Sequence, residues 1–281
     1  MKDETITVIR AKGSLFDLKL KELMKYRELI WLLVKKNYAT RYKQTILGSA
    51  WLLINPICTV VMNTIVFGAI AGLSTDGVPG PVFYLAGNIM WALFAGCLND
   101  ASGTFIGNAA LFGKIYFPRL AVPAANAITQ IGDFFIKFAL LVALSILYAI
   151  TGASRIELRA EMLLLPALLV QLALLGTGTG IIISSFTTKY RDLQVLVGFG
   201  VSIWMYLSPI VYSLKAIPER YLGWYLLNPV APAILIFKKA FLGAGKVPWA
   251  AWGISWCITL FVALFSILIF NHIERTFMDT V

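Results

Sequence analysis

Six long apolar runs, separated by short charged or glycine- and proline-rich stretches, decide most of what this chain can become. They cover residues 48–73, 82–106, 120–150, 162–186, 195–214 and 249–270. A helix rising ~1.5 Å per residue needs about 20 residues to cross ~30 Å of hydrocarbon, and each run is long enough. The sequence therefore predicts an all-α integral membrane protein. Its composition agrees: 59% of the residues are hydrophobic and 14% charged, where soluble domains carry about 25% charge. The formal charge of +10 is concentrated near the start, where residues 1–47 hold eleven Lys/Arg against five Asp/Glu. That excess suits an anionic membrane surface rather than nucleic acid, because no nucleic-acid binder carries so much apolar sequence.

Residues 1–47 read as a cytoplasmic arm. Within it, 14–45 is amphipathic: Leu23, Tyr26, Leu29 or Ile30, Leu33 and Asn37 step by three or four among Lys19, Lys25, Lys35, Lys36, Arg41 and Lys43. The pattern predicts a helix lying on the membrane, with a solvated arm as the alternative. The arm has neither the early apolar core nor the small-residue cleavage site of a secretory signal. Residues 48–271 read as the transmembrane domain and 272–281 as a cytoplasmic tail. Asn55-Pro56 is expected to kink the first span, since proline removes a donor and crowds the preceding turn.

Residues 218–243 differ from the other apolar stretches. Asn228-Pro229 and Pro232 split them into two halves of about ten residues, each ~15 Å of helix. Two half-length helices joined by a proline turn predict a re-entrant hairpin, which needs protein or a wet cavity around it. With six full spans both termini share a side. The arm, the 107–119 and 187–194 loops and the tail hold sixteen Lys/Arg, against seven at 151–161 and 213–248. The positive-inside rule then makes both termini cytoplasmic.

Little in the sequence points to catalysis or metal binding. GNAALFGK (107–114) imitates a phosphate-binding loop but has five residues between its glycines, Ile115 where Ser/Thr should stand, and no preceding strand. Cys58, Cys97 and Cys257 lack ligand spacing and are expected to be buried hydrophobes. The single histidine, His272, supports no catalytic triad, and no carboxylate cluster is expected at the membrane face. The third span carries Asn126, Gln130, Asp133 and Lys137 at steps of four, three and four, on one helical face. Asp133 and Lys137 are placed to pair within the helix. The stripe reads as a pore lining or gate, or alternatively as a self-neutralised pair that packs helices. Gly68 with Gly72, and Gly176, Gly178 and Gly180, are spaced for close helix approach. Trp91, Phe94, Trp204 and Tyr206 are candidates to line a sugar path; interfacial or lipid-facing packing is the other reading.

Several stretches together are similar to the permease subunits of type-2 ABC transporters, in the polysaccharide-export branch. These are RYKQTILGSAWLLINP (41–56), KIYFPRLAVP (114–123), YRD (190–192), LSPIVYSLKAIPE (207–219), LNPVAPAI (227–234) and ERTFMD (274–279), in order along nearly the whole chain. The resemblance implies a homodimer resting on a separate cytoplasmic ATPase that binds ATP and Mg, with no cofactor in this chain. It implies export of an undecaprenyl-type lipid-linked polysaccharide such as O-antigen, capsule or teichoic acid across the bacterial cytoplasmic membrane. By the same resemblance Lys114, Ile115, Tyr116, Phe117, Pro118 and Arg119 form the segment that couples to the ATPase. Arg41 and Lys43, with Lys189 and Arg191 of the second loop, would hold the lipid diphosphate head, and Asn228 and Pro229 belong to an outer gate. The alternatives are an ABC exporter of another lipid or hydrophobic compound, or an ion-coupled secondary transporter using Asp133 and Lys137. The sequence shows no convincing internal repeat, which speaks against the latter.

Overall fold

The computed structural model describes residues 20–43, 45–108, 117–152, 159–187 and 192–280. The expectations for Lys114, Ile115, Tyr116, Lys189 and Arg191 fall outside these residues. The chain begins with α1 (Leu20–Lys25) and α2 (Arg27–Tyr42). A short 3-10 turn then leads into α3 (Trp51–Asn63), which runs on through Pro56 and finishes as a π-helix over Thr64–Ile70. Next come α4 (Gly80–Ser102), α5 (Thr104–Gly107), α6 (Ala121–Ile150), α7 (Leu165–Thr187) and α8 (Leu193–Tyr206). The remaining helices are α9 (Glu219–Leu226), α10 (Ala231–Leu242) and α11 (Trp249–Thr280).

Proline marks several of the helix starts. Pro81, Pro123, Pro166 and Pro232 stand in the first turns of α4, α6, α7 and α10, and Pro248 immediately precedes α11. There the missing N–H costs nothing, because first-turn donors have no partner inside the helix. Gly243 ends α10 in the left-handed conformation at φ 74°, its N–H bonded to the Lys239 carbonyl.

Among the described residues, five helical stretches are long and apolar enough to cross a membrane: Gly48–Ile70, Gly80–Ser102, Ala121–Ile150, Ala160–Thr187 and Trp249–Asn271. A sixth is reached if α9 and α10, bent by 102°, count as one broken span. The expected continuous span at 195–214 is not there. Helix α8 ends at Tyr206 after 14 residues, about 21 Å of helix and short of the ~30 Å core. Ser208-Pro209 explains the break: a residue before proline is driven out of the helical region, and proline cannot donate.

The core is built on α4 and α7. Most of α4 and of the Ala160–Thr187 stretch is buried, whereas little of Gly48–Ile70 or of α11 is. Gly176 and Gly180 let α7 lie against α4. A β-carbon at Gly176 would stand 2.5 Å from the Phe94 carbonyl oxygen, and one at Gly180 2.6 Å from the Ala101 β-carbon. Around this pair Phe134 stacks on Phe138 at 5.7 Å and meets Phe237 edge-on at 6.1 Å, which ties α6 and α10 to the core. Cys97 is buried there, but Cys58 and Cys257, expected to be buried, are exposed on α3 and α11.

Candidate functional site

Helix α2 is the first piece of the site. Leu33 and Val34 are buried, and Leu23, Tyr26, Leu29 and Ile30 pack beside them against Phe117, Ala121, Val122 and Ala125. Lys25, Lys35, Lys36 and Lys43 are exposed. Toward its C-terminal end the contact of α2 with α6 turns polar. Asn37 Nδ2 donates to Asn126 Oδ1 (2.9 Å) and Thr129 Oγ1 (3.2 Å), and the Tyr38 hydroxyl donates to the Thr129 carbonyl at 3.0 Å. Gly132 makes room for that hydroxyl, which a β-carbon would overlap.

Arg41 closes the seam. Its Nη1 donates to Asp133 Oδ2 at 2.6 Å and its Nη2 to Asp100 Oδ2 at 2.9 Å. Gln130 Nε2 donates to the same Asp100 oxygen at 2.7 Å, and Gly96 of α4 leaves the space that the Gln130 carboxamide fills. One expectation changes here. Among the described residues Asp133 is ion-paired with Arg41, not with Lys137, because the guanidinium arriving from α2 takes Oδ2 directly. Asp100, which the sequence did not connect with this stripe, converges with Asp133 on the same arginine. Asp100 escaped the sequence reading because it stands alone at the end of an apolar run, and its partner lies 59 residues away.

This seam borders a cavity of about 490 Å³ between α2, α3, α4, α6 and α8, within the ~300–1,000 Å³ of ligand sites. Arg41 lines it from α2, and Gln130, Asp133 and Lys137 in order up α6; Trp51, Asn55 and Thr59 face them from α3, Asn88 and Trp91 from α4, and Met205 from α8. The other expected lining residues divide. Phe94 is fully buried and reaches no open space. Trp204 lines a second, apolar groove of about 410 Å³ beside α7 and α8. The rings of Trp91 and Trp204 meet edge-on at 6.4 Å with Phe94 between helices at 5.2 and 4.9 Å, so the aromatic cluster separates the two spaces. Tyr206 is 56% exposed and joins neither.

Asn228 fixes the bend between α9 and α10 to the end of α8. Its Oδ1 accepts from Trp204 Nε1 at 2.9 Å and from the Val230 N–H at 3.1 Å. Its Nδ2 donates to the Leu207 carbonyl and the Ser208 hydroxyl, both at 3.0 Å. The Pro229 carbonyl accepts from Ser255 Oγ, which in turn accepts from Gln171. Buried Lys238 donates to the carbonyls of Pro209 (2.7 Å) and Ile210 (2.9 Å), satisfying the backbone that the Ser208-Pro209 break exposes, and stands 3.5 Å over the Phe83 ring. Nothing in the sequence announced Lys238, which looks like any lysine in a KK pair.

Of the coupling residues, Phe117 and Arg119 are buried and Pro118 is half-buried. At the opposite end of the molecule Asp76 accepts from the Ser213 hydroxyl at 2.6 Å and pairs with Lys215 at 2.9 Å. Burial would raise its carboxyl, but the Ser213 and Lys215 contacts outweigh that and hold it below the usual range. Among the described residues no group of His, Cys, Asp and Glu is placed to hold a metal ion.

A bundle of apolar spans around an arginine-latched cavity of mixed lining is the architecture of a membrane protein. The family model described as ABC-2 type transporter matches residues 28–242, and the chain belongs to that family. It is a multi-span inner-membrane protein and a transport subunit, not an enzyme; ABC-2 membership implies a partner ATPase that binds the nucleotide. The chain is 24% identical to the O-antigen export system permease protein RfbA of Klebsiella pneumoniae over 252 residues, 90% of this chain and 94% of the relative. It is 23% identical to the Escherichia coli polysialic acid transport protein KpsM, covering 72% of this chain and 76% of the relative. It is also 23% identical to the inner membrane transport permease YadH of Escherichia coli K12, covering 88% and 96%.

Proposed function

We propose that this chain is the membrane half of an ATP-driven exporter that moves a lipid-linked polysaccharide out across the cytoplasmic membrane, working as a homodimer on a separate ATPase. The observation that carries the reading is the cavity beside the α2–α6 seam, lined by both charged and apolar side chains, in a chain similar along most of its length to O-antigen and polysialic acid export proteins. An isoprenoid diphosphate sugar needs both polar and apolar walls, and exposed Trp51 offers a face on which a sugar ring stacks.

In this reading the 107–119 loop is the handle for the ATPase. Phe117 supports it: its side chain packs in one cluster with Leu33 and Val34, so a push on the loop reaches α2, and through Arg41 the cavity. The ATPase acts only by binding the two arrangements of this lever unequally. The stretch from α8 to Ser213, which meets Asp76 of the turn after the first span, makes an irregular sixth crossing, so both termini are cytoplasmic; α2 lies at the inner membrane interface, and α9–α10 form a re-entrant outer gate. Lys43, Lys189 and Arg191 would meet the diphosphate on its way in. Arg41 joins them only when it leaves its carboxylates.

The test is reconstitution in proteoliposomes with the partner ATPase and a fluorescent isoprenoid-linked oligosaccharide. Transport is expected only with the ATPase and ATP together. Flux driven by an ion gradient without the ATPase would overturn the proposal.

A further inference from the structure

The cavity contains two cations, and they are not equivalent. Arg41 is engaged by Asp100 and Asp133. Lys137, one helical turn beyond Asp133 on α6, lines the same cavity and is half-buried. Among the described residues no carboxylate oxygen lies within ion-pair distance of its ammonium, and it makes no hydrogen bond. It is sixteen residues into α6, about 24 Å along the helix. Charges so deep are expensive and mark the path of a substrate or ion.

The surroundings say which kind. Lys137 offers three donors and no acceptor, so its ligand must accept. The Asn55 carboxamide opens onto the same space from α3 and is exposed. Trp51, Trp91 and Pro56 provide apolar wall. An ammonium and a carboxamide framed by aromatic and aliphatic surface fit an oxyanion carried on an amphiphile.

We propose that Lys137 is the anion-binding group of this cavity and takes a phosphate oxygen of the transported lipid, while Arg41, already neutralised, serves as the latch of the doorway. This deepens the export reading and rests on it. The neighbouring Asp133 sets the sign of a test: its carboxylate works against an incoming anion, and its loss helps one. A residue that only holds the fold together would weaken binding whichever of the two was changed.

The experiment is binding of farnesyl diphosphate to the full chain in nanodiscs of neutral lipid, with farnesol, inorganic diphosphate and glucuronate as the other arms. Farnesyl diphosphate is expected to bind more tightly than the three. Lys137→Met should weaken it by about tenfold or more, the loss of one charge-assisted hydrogen bond. Lys137→Arg should retain most of the affinity, and Asp133→Asn should strengthen it. Should Lys137→Met fail to fold, acetylation of Lys137 in the unaltered chain, read by mass spectrometry, should fall when farnesyl diphosphate is added. Unchanged affinity in Lys137→Met, equal binding of farnesol, or unprotected Lys137 would overturn the proposal. Equal binding of inorganic diphosphate would overturn the lipid as the source of the phosphate, and preference for glucuronate would assign the site to acidic sugars instead. Export decides separately: if Lys137→Met exports normally and transport still needs the ATPase, this inference fails and the export reading stands.

Discussion

The α4–α7 contact and the α2–α6 seam are both places where two helices lie close, and they are built in opposite ways. Between α4 and α7 the glycines remove side chains so that backbones touch, and large apolar groups fill the rest. Such a contact has one good arrangement. Between α2 and α6 closeness serves hydrogen bonds and an ion pair, from Asn37, Tyr38 and Arg41. These can be exchanged for water, for another residue or for an anionic ligand at modest net cost. The difference teaches where motion is available: the first contact is a frame, the second a joint.

The sharpest way to break the comparison is to fill the frame. Gly180→Leu puts side-chain atoms where the Leu98 and Ala101 atoms stand, with a cost of about 3 kcal/mol or more. The expected outcome is loss of monodisperse protein and a steep fall in melting temperature.

The seam should respond differently. Arg41→Ala leaves Asp133, whose side chain is 4% exposed, without its cation. Breaking a buried pair costs ~3–5 kcal/mol, and the half-exposed arginine side reduces this to about 2–3. Hydrogen exchange should rise across 27–42 while α4 and α7 stay protected, and the double variant Arg41→Ala with Asp133→Asn should recover part of the loss. Equal loosening of the core would mean that the two regions are one unit.

Asn228→Ala probes a polar joint at the other end. Removal of its contacts to Trp204, Leu207 and Ser208 should cost about 1–2 kcal/mol locally. It should change Trp204 fluorescence and speed exchange over 204–212. The smallest effect belongs to Asp76. Its carboxyl sits below the usual value when folded, so its stabilisation is complete above the unfolded pKa of about 3.9 and is lost as pH falls through the lower folded value. Melting followed from neutral to strongly acidic pH should show a slightly steeper decline for the unaltered chain than for Asp76→Asn.

Spans were legible because their signal is local and long. Twenty apolar residues leave few alternatives. The face of α2 was legible for the same reason, since Leu23, Tyr26 and Leu33 recur at helical spacing. What failed to show was what depends on distant partners. The spacing of Asp133 and Lys137 pointed to a pair, but Arg41 from another helix competes for the same oxygen. Asp100 and Lys238 are single charges with no periodic context, and only the fold reveals that one holds an arginine and the other a broken backbone. The span at 195–214 was overread because a hydropathy run does not register that Ser208-Pro209 stops its helix.

The central claim is that α2 moves against a fixed frame when the partner ATPase binds ATP. Spin labels on exposed Lys36 of α2 and exposed Phe186 of α7 measure the joint; labels on exposed Asn99 and Leu174 measure the frame. In nanodiscs with the partner ATPase, ATP should shift the first distance by several ångströms and leave the second unchanged. A first distance indifferent to ATP, or a frame that moves as much as the joint, would contradict the account.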